Sequence, residues 1–335
     1  MRKTIRLFLV SVLILGLLLV GCGKKSEVVG EVDGVEITRD QLDVKVEQAK
    51  MMFEAQGFSF EGDNGTKMLE YLERDVLDQM IQEVVLRAEA AKQGLQVEKK
   101  EIEEQLASIK KPYDEETFQK LLKQQNLTEE TLKENIEFQM LVDQLFNKVT
   151  GNVSVPEQEI KDYFTSNKEA LIQYKASHIL IQPEGDTEDK EVADGEARKK
   201  AVGLIARLDQ GADFAELAQA HSADSGSAAQ GGSLGQYFTR DTSPYVPEFT
   251  GAVLALSEGN YTGEPVKTDF GYHIIKLDEK LDSFEELRTT VQAQLEQEEK
   301  NQVFYDYFSD ILDKAKIVNN LVEKDEEADK KDEGK

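Results

Sequence analysis

The chain has 335 residues, 39% hydrophobic and 32% charged, with 66 acidic residues against 40 basic ones and a formal net charge of -26. That apolar content can build a core, and the length allows one to three domains. The acidity excludes nucleic-acid binding, since no run of cations could neutralise a row of phosphates. It also repels anionic lipid surfaces, so a membrane link has to be covalent or apolar.

Arg2, Lys3 and Arg6 precede an uncharged run of 15 residues, Leu7 to Gly21. That is short for a membrane span, which needs about 20, and it has the form of a secretory signal. The run ends in "LVGC" at Cys22, the only cysteine. This ending resembles the lipobox of bacterial lipoproteins. The resemblance implies removal of residues 1–21 and a diacylglycerol on Cys22, with the protein held on the outer face of the cell membrane. Two or three acyl chains hold firmly where one is marginal. A cysteine used in this way leaves no thiol for catalysis, zinc or a disulfide.

"VVGEVDGVEIT" (28–38) predicts two short strands around the turn pair Asp33-Gly34. Helical sequence follows. Residues 67–94 carry apolar side chains at 69, 72, 76, 77, 80, 81, 84, 85 and 88, a helical stripe that Gly94 closes. Similar stripes predict helices near 98–110, 114–125 and 129–148, and a further short helix follows Pro156. The pattern then changes. "QYKASHILIQ" (173–182) predicts a strand, and 182–191 an acidic loop. Two helices separated at Gly211 come next, then a Gly/Ser/Ala stretch at 222–238, a short helix at 247–256 and two strands at 261–277. In "TDFGYHIIKL", His273, Ile275 and Leu277 share one face and Tyr272, Ile274 and Lys276 the other, as in a half-buried strand. Residues 283–316 form one long amphipathic helix with a Ser283–Glu286 capping box. The charged tail, 319–335, predicts disorder. The simplest way to bury the flanking stripes is to pack 283–316 on the N-terminal helices, one helical domain built from both chain ends.

Two motifs point elsewhere and fail on context. "GGSLG" (231–235) matches a nucleophile elbow around Ser233, but polar sequence precedes it where a buried strand is needed. The three histidines lie 43 and 52 residues apart, which is no metal-ligand spacing.

The order of pieces in 173–279 is informative. "ASHIL", "GADFAELAQAHSADSGSAAQGGSLGQYF", "VPEFTGAVLALSEGN" and "VKTDFGYHIIKL" together resemble the parvulin-type peptidyl-prolyl isomerases. With the lipobox, the "EVDGVEITRDQL" opening, the helical N-terminal region and the long final helix, the whole chain resembles the PrsA foldase lipoproteins, and more loosely the SurA-type chaperones. The resemblance implies a multidomain α and α+β protein. Its segments would be a signal peptide (1–21), a helical chaperone region (22–170), a parvulin domain with a four-stranded, mainly antiparallel sheet (171–280) and a helix (281–318) returning to the N-terminal region.

It implies site residues as well. His178 and His273 match paired histidines on adjacent strands. Ser225, with Asp224 beside it, falls at the slot often held by Cys or Asp. Thr268 matches a hydroxyl that hydrogen-bonds a histidine. Phe249 matches the aromatic of the proline pocket, with Leu234, Phe238 and either Tyr245 or Val246 around it. The segment 239–246 is longer than usual in the family. The bland reading of His178 and His273 is a pair of core histidines satisfying each other, and of His221 a surface or capping residue.

The expected activity is rotation about X-Pro bonds without a cofactor, on unfolded or nascent secreted polypeptides. The alternative is a holdase with a weak or inactive parvulin domain. The helical stripes serve a homodimer interface as readily as a client groove. Loop 182–191 holds five acids against Lys190, where recognition of phosphate needs a basic cluster. A phosphoserine-proline peptide is therefore expected to be turned over no better than its unphosphorylated form. A gain of about tenfold in kcat/KM would overturn this.

Overall fold

The structure, a computed structural model, describes residues 26–183 and 190–321. The signal segment, Cys22, most of the acidic loop and the charged tail from 322 onward lie outside the described residues. In chain order the elements begin with β1 (Val28–Val32), β2 (Val35–Thr38), α1 (Arg39–Ala55), α2 (Gly62–Lys92), α3 (Lys99–Lys110), α4 (Glu115–Gln124), α5 (Glu129–Thr150) and α6 (Glu157–Leu171). There follow β3 (Gln173–Ile181), α7 (Lys190–Asp209), α8 (Phe214–His221), α9 (Ser225–Ala228), α10 (Pro247–Ala255), β4 (Val266–Thr268), β5 (Gly271–Leu281), α11 (Phe284–Lys314) and β6 (Ile317–Asn319).

The chain divides into two compact units, one ending at Val153 and resuming at Lys300, the other Ser154–Glu299. In the first, Asp33 and Gly34 take φ of 49° and 89°, the paired positive values that let β1 and β2 form a tight hairpin. Thr38 and Gln41 form a reciprocal capping box that starts α1. The core gathers Val29, Ile37, Leu42, Leu77 and Met80, with Ile311, Leu312 and Leu321 from the chain end packed against it. The chain end also adds β6 antiparallel to β1, giving the order β2-β1-β6. Periodicity could not announce so short a strand.

In the second unit, Ser283 and Glu286 form the predicted capping box. The first part of α11 buries Leu287, Val291 and Leu295 with Ile160 and Phe164 of α6. The boundary expected at 170 therefore moves to 153, because α6 and the start of α11 bury each other's stripes.

The sheet of this unit is antiparallel, in the order β3-β5-β4. Of the four strands expected, three are strands here. The fourth row consists of two isolated bridges, Tyr174 to Phe238 and Ser177 to Ser233. Positive φ at Gly231, Gly232 and Gly235 keeps that segment from running extended beside β3. The expected half-buried strand is also corrected, since β5 is covered on both faces. Tyr272 and Ile274 join the α7–α8 cluster with Ile179, Leu204 and Leu217. Ile275 and Leu277 join Ala176, Phe249 and Val253 on the other side.

Candidate active site

β3 and β5 carry the two histidines on the face that also bears Ile275 and Leu277. His178 lies opposite Ile275, and His273 opposite Leu180, so the imidazoles are diagonal neighbours. They are 7% and 5% exposed. Their rings lie nearly parallel, at 19° with centroids 5.3 Å apart, and their Nδ1 atoms are 3.1 Å apart. Two glycines permit the backbone around them. The Gly232 carbonyl accepts from the His178 N–H at 2.8 Å, and a Cβ on Gly232 would fall 2.4 Å from the His178 carbonyl oxygen. Gly271, at φ 133°, approaches Ile181 so closely that a Cβ would fall 2.5 Å from its oxygen.

Each outer nitrogen has a partner. His178 Nε2 lies 2.7 Å from Asp224 Oδ2 and 3.1 Å from Ser227 Oγ, and the Ser227 hydroxyl donates to the same carboxylate oxygen at 2.6 Å. His273 Nε2 lies 2.8 Å from Thr268 Oγ1, which accepts the Phe270 N–H at 3.1 Å. The ionised Asp224 carboxylate accepts from His178 Nε2–H, and between the two Nδ1 atoms one ring donates and the other accepts, with Thr268 Oγ1 completing His273 Nε2. The hydrogen bonds from Ser227 and His178 hold the Asp224 carboxyl down at about 2. Burial, and then the neighbouring His178, push His273 down to about 4.

A cleft of about 500 Å³ opens above this row. Phe249, 3% exposed, meets both imidazoles edge-on, at 5.7 Å and 5.4 Å between centroids. Pro247 at the first position of α10 presets the backbone that delivers it. Leu234, Pro244, Tyr245 and Val246 complete the apolar wall, so both residues of the Tyr245/Val246 alternative face the cleft. Ser243 and Thr250 hydroxyls at 2.6 Å pin the segment before α10.

Phe238 is placed differently from the expectation. It is buried edge-on behind Tyr245, centroids 5.1 Å apart, and supports the wall without lining it. Ser225 lines the cleft, but the hydroxyl that reaches His178 is that of Ser227. Asp224 caps the short helix α9, accepting the Gly226 N–H at 3.1 Å, and that turn swings Ser227 back onto the carboxylate. The capping pattern Asp-x-x-Ser was the available signal for Ser227. His221 pairs with Arg207, and the Ser233 hydroxyl accepts the Gly235 N–H, so neither belongs to the row.

The chain matches two family descriptions: a PPIC-type PPIase domain over residues 163–281 and a SurA-like N-terminal domain over 1–146. It is 31% identical to the foldase protein PrsA of Caldanaerobacter subterraneus subsp. tengcongensis, over 95% of this chain and 96% of that one. It is also 31% identical to the foldase protein PrsA of Clostridium botulinum strain 657, over 84% of each. The crystal structure of PrsA from Bacillus subtilis aligns with a TM-score of 0.33 at 25% identity, covering 86% of this chain and 93% of that one.

The two depressed groups fix a pH dependence. An unfolded His273 binds its proton near 6.5, whereas the folded one resists until about 4. The unfolded chain therefore takes up more protons across that window, and stability falls as pH drops through it. Asp224 continues the fall as pH drops from 3.8 toward 2. Urea midpoints measured from pH 7.5 to 4.5 are expected to decline more in the wild type than in His273→Gln. Parallel curves would refute the assignment.

Proposed function

The chain belongs to the PrsA foldases and is a foldase with a parvulin-type peptidyl-prolyl isomerase domain, and from that premise we propose how its residues divide the work. Rotation about an X-Pro bond faces a barrier of about 18–20 kcal/mol and breaks no bond to carbon. A catalyst therefore needs an apolar socket for the ring and a rigid polar surface that favours the twisted amide. Phe249, Leu234, Tyr245 and Val246 form the socket in this reading. His178 and His273 form the floor, held by Thr268, Asp224 and Ser227, with Ser225 at its edge. The histidines set geometry and electrostatics and shuttle no proton. Support comes from one observation above all: a buried imidazole pair with partners at both ends lies directly under an aromatic-walled cleft.

The clients are unfolded secreted polypeptides, in which X-Pro isomerisation otherwise takes tens to hundreds of seconds. Among the described residues no helix is long and apolar enough to cross a membrane. Cys22 lies outside them, and its "LVGC" context supports a lipid anchor on the extracytoplasmic face.

Two measurements test this. Cis/trans exchange of X-Pro tetrapeptides is expected to be accelerated by the chain lacking its signal segment. Phe249→Ala should lower kcat/KM by roughly tenfold or more, and His273→Ala should do likewise while remaining folded by circular dichroism. Background rates from the wild type, with aggregation of clients still suppressed, would leave a holdase instead. For the anchor, Cys22→Ala is expected to move the protein from the detergent phase of a membrane extract into the medium. Retention in the detergent phase would refute lipidation at that residue.

A further inference from the structure

The cleft continues beyond the proposed socket. Leu180, two residues beyond His178 on the same face of β3 and opposite His273, lines the cleft with Gln182, which follows the end of β3. Phe270, in the turn before β5, stands at the same end, and Ala223 closes the wing beside Asp224. The polar row thus runs between an apolar socket on one side and this wing on the other.

The X-Pro amide is the polar part of the substrate and has to lie over the polar row. With the ring in the socket, the chain crosses the amide and enters the wing with the residue that precedes proline. Among the described residues, no lysine or arginine lines the cleft, and the carboxylate there is that of Asp224. Its side chain stays 33% exposed despite its hydrogen bonds to His178, Ser227 and Gly226. Phe270 is 59% exposed, so its ring is available to a ligand. Aliphatic wall, open aromatic ring and carboxylate suit a side chain with an apolar stem and a cationic head. An acidic side chain would meet the Asp224 charge with nothing to offset it.

We propose that Leu180, Gln182, Ala223 and Phe270 form the subsite for the residue preceding proline, and that this subsite with Asp224 favours Arg-Pro and Lys-Pro bonds over Glu-Pro and Asp-Pro bonds. The inference rests on the isomerase reading above. It assigns a sequence preference that the reading alone does not contain.

The test uses the chain without its signal segment and tetrapeptides identical except for Arg, Lys, Leu or Glu before proline, with exchange followed by NMR. At low salt, kcat/KM is expected to be at least about fivefold higher for Arg or Lys than for Glu, with Leu between them. The ratio should shrink as sodium chloride is raised to about 0.5 M, where screening is short-ranged. Phe270→Ser should lower the Arg-to-Glu ratio by about twofold or more. Catalysis of all four peptides with Glu equal to or better than Arg overturns the proposal. A ratio indifferent to Phe270→Ser overturns the subsite assignment. Background rates for every peptide overturn the isomerase reading itself, and the subsite with it.

Discussion

The site depends on giving every nitrogen of two imidazoles a partner inside an apolar sheet face. A buried ring nitrogen without a partner costs on the order of 1–3 kcal/mol. His178 and His273 meet that demand by bonding to each other at Nδ1 and to Asp224 or Thr268 at Nε2. The consequence is rigidity. Neither ring can turn without leaving a nitrogen unpaired, so the floor of the cleft keeps its shape.

Much of the second unit serves that arrangement. Covering β5 on both faces removes water from the pair and fixes the strand that carries His273. Gly232 and Gly271 admit backbone where a side chain would collide. Asp224 joins two roles in one carboxylate, since it caps α9 and anchors His178, and through the cap it draws in Ser227. Phe249 then rests edge-on against both rings, so the apolar wall and the polar floor are in contact. Such a surface suits a reaction that needs a barrier lowered by geometry and not by bond making.

The sequence was most legible where local chemistry governs. The Asp33-Gly34 hairpin, the close of α2 before Gly94 and the Ser283–Glu286 box follow from rules that act within a few residues. His178, Asp224, Thr268, His273, Leu234 and Phe249 came from the order of motifs along the chain, and the structure gathers them around one cleft or the network beneath it. It was least legible where spacing depends on a turn. Counting back from Gly231-Gly232 reached Ser225, whereas the tight cap at Asp224 brings Ser227 to the histidine. Phe238 looked like a wall residue in the linear order, but Tyr245 stands between it and the cleft.

By itself, then, the sequence determined the composition class, the element types, the site's residue types and the alternation that aims His273 inward. Those properties are local: they depend on periodicity, capping and turn chemistry over a few neighbours. Only the tertiary structure decided that β5 is buried on both sides, that β6 joins β1 from the far end of the chain, that α6 packs on the start of α11, and which hydroxyl completes the histidine row. Each depends on which distant surfaces meet, and apolar burial is non-directional, so the pattern of one segment does not name its partner.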